Sequence, residues 1–181
     1  MLIKTLIALA GIAVGVVVVV ASRPNQFHVA RTARIAAKPP AVFAQVNDFH
    51  QWDGWNPWAK LDPAMKQSYA GAPAGVGAVY TWAGNSHVGE GRMTVTESRP
   101  SELIRIKMEF LKPFANTSTA EFTFRPEGDH TVVTWSMEGT NNFMAKAIHL
   151  VMNMDRMIGG QFEKGLAQMK AVAEAAPGTS S

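Results

Sequence analysis

The order of apolar and polar positions divides the chain into an unbroken apolar run, a stretch of alternation, and a stretch with helical spacing. From Thr5 to Ser22 no charged residue occurs; Leu6 to Ala21 is apolar apart from Gly11 and Gly15, and positions 16–20 are all valine. Eighteen uncharged residues reach the lower end of the ~17–25 that cross a bilayer as a helix. After a polar linker at 23–26, residues 27–36 alternate in part and predict a first strand. Pro39 and Pro40 then open a short helix whose apolar face is Val42, Phe43 and Val46. Trp52, Trp55 and Trp58 follow within seven residues, broken by Gly54 and Pro57, and predict a compact turn or short helix.

From Lys66 onward the signal is strand. The beta-rich runs are 77–84, 88–98, 103–111, 117–125 and 131–139, separated by turn clusters at 99–102 and 126–129. Connections this short join antiparallel neighbours, since a parallel crossover needs a dozen residues or more. Asn141 and Asn142 are good helix caps. Residues 143–175 then carry Ile148, Val151, Met152, Asp155, Ile158, Phe162, Leu166, Met169 and Val172 at helical spacing. Gly159-Gly160 within that stretch predicts a kink or a close approach to another element. The expected organisation is an anchor or uncleaved signal at 1–22, a linker at 23–26, one α+β domain at 27–175 and a disordered tail at 176–181. The layout is a curved antiparallel sheet of six to seven strands around a long C-terminal helix.

Charge refines the N-terminal reading. Residues 1–22 hold one charge, Lys4, although the whole chain is 17% charged. A cleaved signal peptide wants small residues at −3 and −1, and Val19 before Ala21 fits poorly, which favours a retained membrane anchor. The short positive start places the domain outside the cytoplasm, whereas Arg23, Arg31, Arg34 and Lys38 count the other way. A net charge of +3 with no run of four basic residues gives no nucleic-acid footprint. The absence of cysteine excludes disulfide frameworks, thiol nucleophiles and cysteine-based metal sites.

Residues 35–49 (IAAKPPAVFAQVNDF), followed by Trp52, Trp55 and Trp58, resemble the opening of the SRPBCC superfamily, which includes START, Bet v 1-like and polyketide cyclase/dehydrase-like proteins. The later GVGAVYTW at 75–82, GEGRMTV at 89–95 and GLAQMK at 165–170 fit the same pattern. The resemblance covers residues 27–173 and implies a helix-grip fold whose cavity takes lipids or other apolar molecules. It implies no cofactor and no universal catalytic motif, and fold alone fixes no chemistry.

Strand parity selects the residues that face the helix. The candidate ligand-binding set is Tyr80, Trp82, Met93, Ile106, Met108, Phe122, Phe124, Trp135 and Met137, joined by Met152 and Asp155 on the last helix. Phe110 and Ala120 share the same face, and the opposite face carries Arg105, Lys107, Glu109, Glu121 and Arg125. Such a face packs a solid core or lines a cavity, with Met able to adapt to varied ligands. Asp155 is a carboxylate on an apolar stripe; it either has a structural partner or orients the polar end of a ligand. Trp52, Trp55 and Trp58 either pack the short-helix segment against the sheet, form a cavity mouth, or meet a membrane interface. No histidine pair has metalloprotease spacing, and residues 84–88 (GNSHV) lack the final glycine of a nucleophile elbow. His50 with Asp48 and Asp53 is a weak metal candidate. The readings left open are membrane-tethered binding or transfer of an apolar molecule or lipid, a cyclase- or dehydrase-like enzyme using Asp155 or Tyr80, and a protein-interaction module.

Overall fold

The structure, a computed structural model, describes residues 2–141, 143, 145–147 and 153–175 of the 181. Helix α1 (Leu2–Ala21) leaves most of its described side chains exposed, and only Val20 near its end is buried. By length and composition it is apolar enough to cross a membrane, a test that an N-terminal signal sequence also passes. Strand β1 (Gln26–Ile35) follows directly.

Helix α2 (Pro39–Asn47) starts on prolines because their fixed φ suits a first turn and their absent N–H would have no partner there. It buries Val42, Phe43 and Val46. Asp48 ends it, and its carboxylate accepts from the His50 amide at 2.9 Å to open a 3-10 helix at Phe49–Gly54. Trp52 and Trp55 then tie this turn back to α2. Their indole N–H groups donate to the carbonyls of Val46 at 3.0 Å and Gln45 at 2.9 Å. Both rings are buried, so Trp52 and Trp55 do not form a membrane-facing belt.

Six more strands complete one antiparallel sheet: β2 (Lys66–Gly71), β3 (Ala78–Ala83), β4 (Glu90–Arg99), β5 (Leu103–Lys112), β6 (Asn116–Glu127) and β7 (His130–Thr140). Their order is β1-β7-β6-β5-β4-β3-β2. From β2 to β7 this is a meander, and β1 closes it at the far edge. Burial alternates residue by residue along β3, β6 and β7, as the sequence pattern predicts. β4 carries register shifts at Glu90/Gly91 and Val95/Glu97, which bend a strand and strengthen its twist. The outer face is polar, with Arg105 between Glu97 and Glu121, 2.8 Å from the latter.

Helix α3 (Met154–Ala175) lies in the concave face and buries Phe162, Leu166, Met169 and Ala173. The sequence predicts one helix from Phe143; the structure breaks it at Asn153. The Asn153 side chain accepts from the Arg156 amide at 2.9 Å and so caps α3. Ile148, Val151, Met152 and the tail at 176–181 lie outside the described residues.

Two glycines let α3 sit close to the sheet. A Cβ at Gly159 would lie 2.1 Å from Nη2 of Arg31, so the predicted close approach is to β1. A Cβ at Gly165 would lie 2.8 Å from the Trp135 ring and 3.1 Å from Pro57. Gly165→Ala is expected to lower stability by about 1–3 kcal/mol, the usual result of forcing a methyl into a packed site. Gly160→Ala meets nothing within 4 Å and is expected to raise stability by about 0.5–1 kcal/mol through helix propensity. Urea titration of the full chain in detergent, followed by Trp fluorescence, measures both; equal effects would contradict this packing.

Candidate functional site

Between α3 and the sheet lies a cavity of about 340 Å³, within the ~300–1,000 Å³ typical of small-molecule pockets. Its wall is built by register. Tyr80 of β3 sits opposite Met93 of β4, Met93 opposite Met108 of β5, and Met108 opposite Ser118 of β6. All four line the cavity, as does Phe27 of β1 at the end of that row. Trp82, Phe110 and Asn116 extend the wall towards the opening, and Ala120 and Met137 extend it inward. Ile158 and Phe162 of α3 form the roof. The lining atoms are overwhelmingly apolar, so the space suits an apolar occupant.

The floor is an aromatic cluster centred on Trp135. Its ring stacks on Phe162 with centroids 4.1 Å apart and planes at 12°, and on Phe122 at 4.8 Å and 26°. Trp55 and Trp58 meet it edge-on at 5.6 and 5.8 Å. Each such pair contributes ~0.5–1.5 kcal/mol beyond the apolar area it buries. Beyond this floor, towards α2, the interior is filled by Val42, Phe43, Ile104, Phe124 and Val133. The cavity therefore occupies the opposite half, where β1 begins and β7 ends.

Few polar groups line it. Burial, with smaller contributions from Tyr69 and Asp53, pushes the Tyr80 phenol well above its ordinary range, so it stays a neutral donor. Ser118 Oγ and Trp135 Nε1 belong to lining residues, are buried, and have no hydrogen-bond partner among the described residues. Each such orphan costs ~1–3 kcal/mol. Lys112 stands at the opening and pairs outward with Glu90 at 2.8 Å. Among the described residues no carboxylate or histidine lines the cavity, and no group of three His, Cys, Asp or Glu converges on a metal-sized site. His50 pairs with Asp48 at 2.8 Å on the surface.

Six of the sequence candidates line the cavity: Tyr80, Trp82, Met93, Met108, Trp135 and Met137. Ile106, Phe122 and Phe124 face the same side but are buried in solid core around it. Met152 lies outside the described residues. Asp155 is placed differently from the ligand-orienting expectation. It sits exposed at the start of α3, where its carboxylate accepts from Arg31 at 3.0 and 3.1 Å. Arg31 also donates to Glu163 at 2.7 Å, so two carboxylates one turn either side of Gly159 clamp one guanidinium. Trp52 and Trp58 of the Trp cluster also line the cavity, and Phe27, Ser118 and Ile158 line it without having been singled out from sequence as binding residues.

A curved sheet gripping a long helix over an apolar chamber is the helix-grip architecture of the SRPBCC superfamily. Residues 26–174 match the family described as polyketide cyclase / dehydrase and lipid transport, and the chain belongs to it. Among curated proteins, none matches the sequence. Solved structures share the fold. Protein CV1439 from Chromobacterium violaceum aligns with a TM-score of 0.60 at 16% identity, over 85% of this chain and 100% of that one. The Aha1 dimer from Colwellia psychrerythraea gives 0.60 at 13% identity, over 84% and 99%. The di-domain ARO/CYC BexL from the BE-7585A biosynthetic pathway gives 0.61 at 19% identity, over 89% of this chain but 54% of that one. At these identities the likeness carries the fold.

The Arg31 clamp makes a pH prediction. Its guanidinium hydrogen bonds hold the Asp155 carboxyl below the usual range. Its stabilising contribution is therefore present above the unfolded value of about 3.9 and is lost as pH falls through the lower folded value. Asp155→Asn is expected to reduce stability modestly at neutral pH, to make no difference in strong acid, and to leave uptake of an apolar probe unchanged. Urea titrations across pH, alongside probe fluorescence, check this; a loss of probe binding would place Asp155 in the binding site.

Proposed function

We propose that the domain binds an apolar small molecule or lipid, and that it holds or hands on this ligand beside a membrane to which α1 tethers it. The observation that carries the reading is the apolar chamber of about 340 Å³ between α3 and the sheet, with no carboxylate or histidine among its described lining residues. The polarizable Met93, Met108 and Met137 let the wall re-form around molecules of different shape.

Tethering fits the ligand chemistry, since an apolar molecule partitions into the bilayer and a carrier fixed there meets it at high local concentration. Family membership supports the class of ligand, and the length and composition of α1 support the tether. Binding ranks above catalysis because general acid–base work needs a positioned group whose pKa lies near the working pH. Tyr80 is held protonated, and Lys112 faces outward to Glu90.

Ala120 faces the chamber between Ile106 and Met137. Ala120→Phe is expected to occupy the space and weaken binding of an environment-sensitive apolar dye by about tenfold or more, the equivalent of ~1.4 kcal/mol. Fluorescence titration of the full chain in mild detergent measures this, with circular dichroism confirming the fold. Undiminished dye binding by the folded variant would show that the chamber is not the site.

A further inference from the structure

We infer that the open end of the cavity is a bilayer-docking surface: the β5–β6 hairpin and Phe143 rest on the lipid, so that the chamber opens into the membrane. This rests on the reading of α1 as a membrane anchor and adds to it a direction for the cavity.

The geometry comes from strand register. The β5–β6 hairpin lies at the end of the sheet where Lys112 pairs with Glu90 and Phe110 with Asn116. Ser118 of β6 faces Gly139 of β7, and Thr140 faces Gln26, the first residue of β1. The start of β1, the end of β7 and the hairpin therefore share one end of the sheet. The anchor arrives at that same end. Gln26 is five residues past Ala21, a reach of at most ~18 Å even fully extended.

The junction is also tied down. Val20 is 1% exposed, and the Asn141 amide donates to the Asn25 carbonyl at 2.7 Å. Lys146 Nζ donates to the Ala21 carbonyl at 3.3 Å. Asn141 and Ala145, beside these contacts, line the cavity. With α1 spanning a bilayer, Ala21 lies near the membrane surface, and the cavity rim is held against that surface.

The rim displays what such a surface would bury. Leu111 is 57% exposed, Phe114 56% and Phe143 53%, and the hairpin's Pro113 and Phe114 also line the cavity. Single exposed apolar residues are ordinary; three on the two segments that border one opening make a patch. At the far end of the sheet Val76 stands alone on the β2–β3 turn, whose Gly77 amide donates to Val95. Lys112 is matched by Glu90, so the lip carries little net charge and the contact is apolar in kind. Lipid is the occupant because the anchor brings it to this rim.

The chain contains no cysteine, so single reporters can be placed without background. Val14→Cys in α1, Phe114→Cys and Leu111→Cys in the lip, and Val76→Cys at the far end each carry a fluorophore on the full chain. The protein is reconstituted in phosphatidylcholine–phosphatidylglycerol vesicles with and without nitroxide-labelled acyl chains. Labels at 14, 111 and 114 are expected to lose about twofold or more of their emission to the nitroxide, and the label at 76 to lose almost none. Quenching at 14 but at neither 111 nor 114 overturns the docking surface and leaves the anchor standing, whether the lip then faces water or is covered by a second copy. Absence of quenching at 14 overturns the anchor and this inference with it.

Discussion

The stacking of Trp135 between Phe122 and Phe162 fixes the height of α3 above the sheet, and the division of the interior into a solid half and a hollow half follows from it. Rings 4.1 and 4.8 Å apart leave no room for slippage. Gly165 lets the helix backbone come down onto the same ring. On the α2 side of this stack, Ile104, Phe124 and Val133 meet Phe43, Val46 and Met169 and fill the space. On the other side the inward face of β6 carries Ser118 and Ala120, whose small size leaves volume that the methionines do not close. A solid core would need larger residues there.

The charges are arranged so that this interior stays apolar. Arg105 with its two carboxylates and Lys107 with Glu109 occupy the convex face. Arg31 is the exception in position, since it points to the helix side of β1. It is drawn to the edge of α3, where Asp155 and Glu163 receive it over the bare backbone of Gly159. Exposed pairs of this kind contribute little energy individually. Their effect here is geometric, because they set the rotation of α3 about its axis and so turn Ile158 and Phe162 over the chamber.

The alternation of apolar residues made six of the seven strands legible, five of them with their inward faces, because each strand is half buried and the side-chain period is two. β2 shows no such pattern in KQSYAG, since it is an edge strand exposed along nearly its whole length. Parity also says which residues face the helix but not where along the strands the helix stops touching them. That is why Ile106, Phe122 and Phe124 were grouped with true lining residues such as Met108 and Met137. Asp155 was legible as an anomaly, yet its partner is 124 residues away in β1, and no local signal connects them. The break before α3 was hidden because Asn153 caps a helix within a stretch that keeps helical spacing throughout.

The central claim is that the chamber is a binding site and not an imperfection of packing. Native mass spectrometry of the full chain, purified from its host in detergent and released from it, tests this most directly when coupled to organic extraction of the bound mass. The account predicts a co-purifying apolar molecule that is retained on release. A chain released without any bound mass, which also fails to take up an apolar probe in solution, would contradict it.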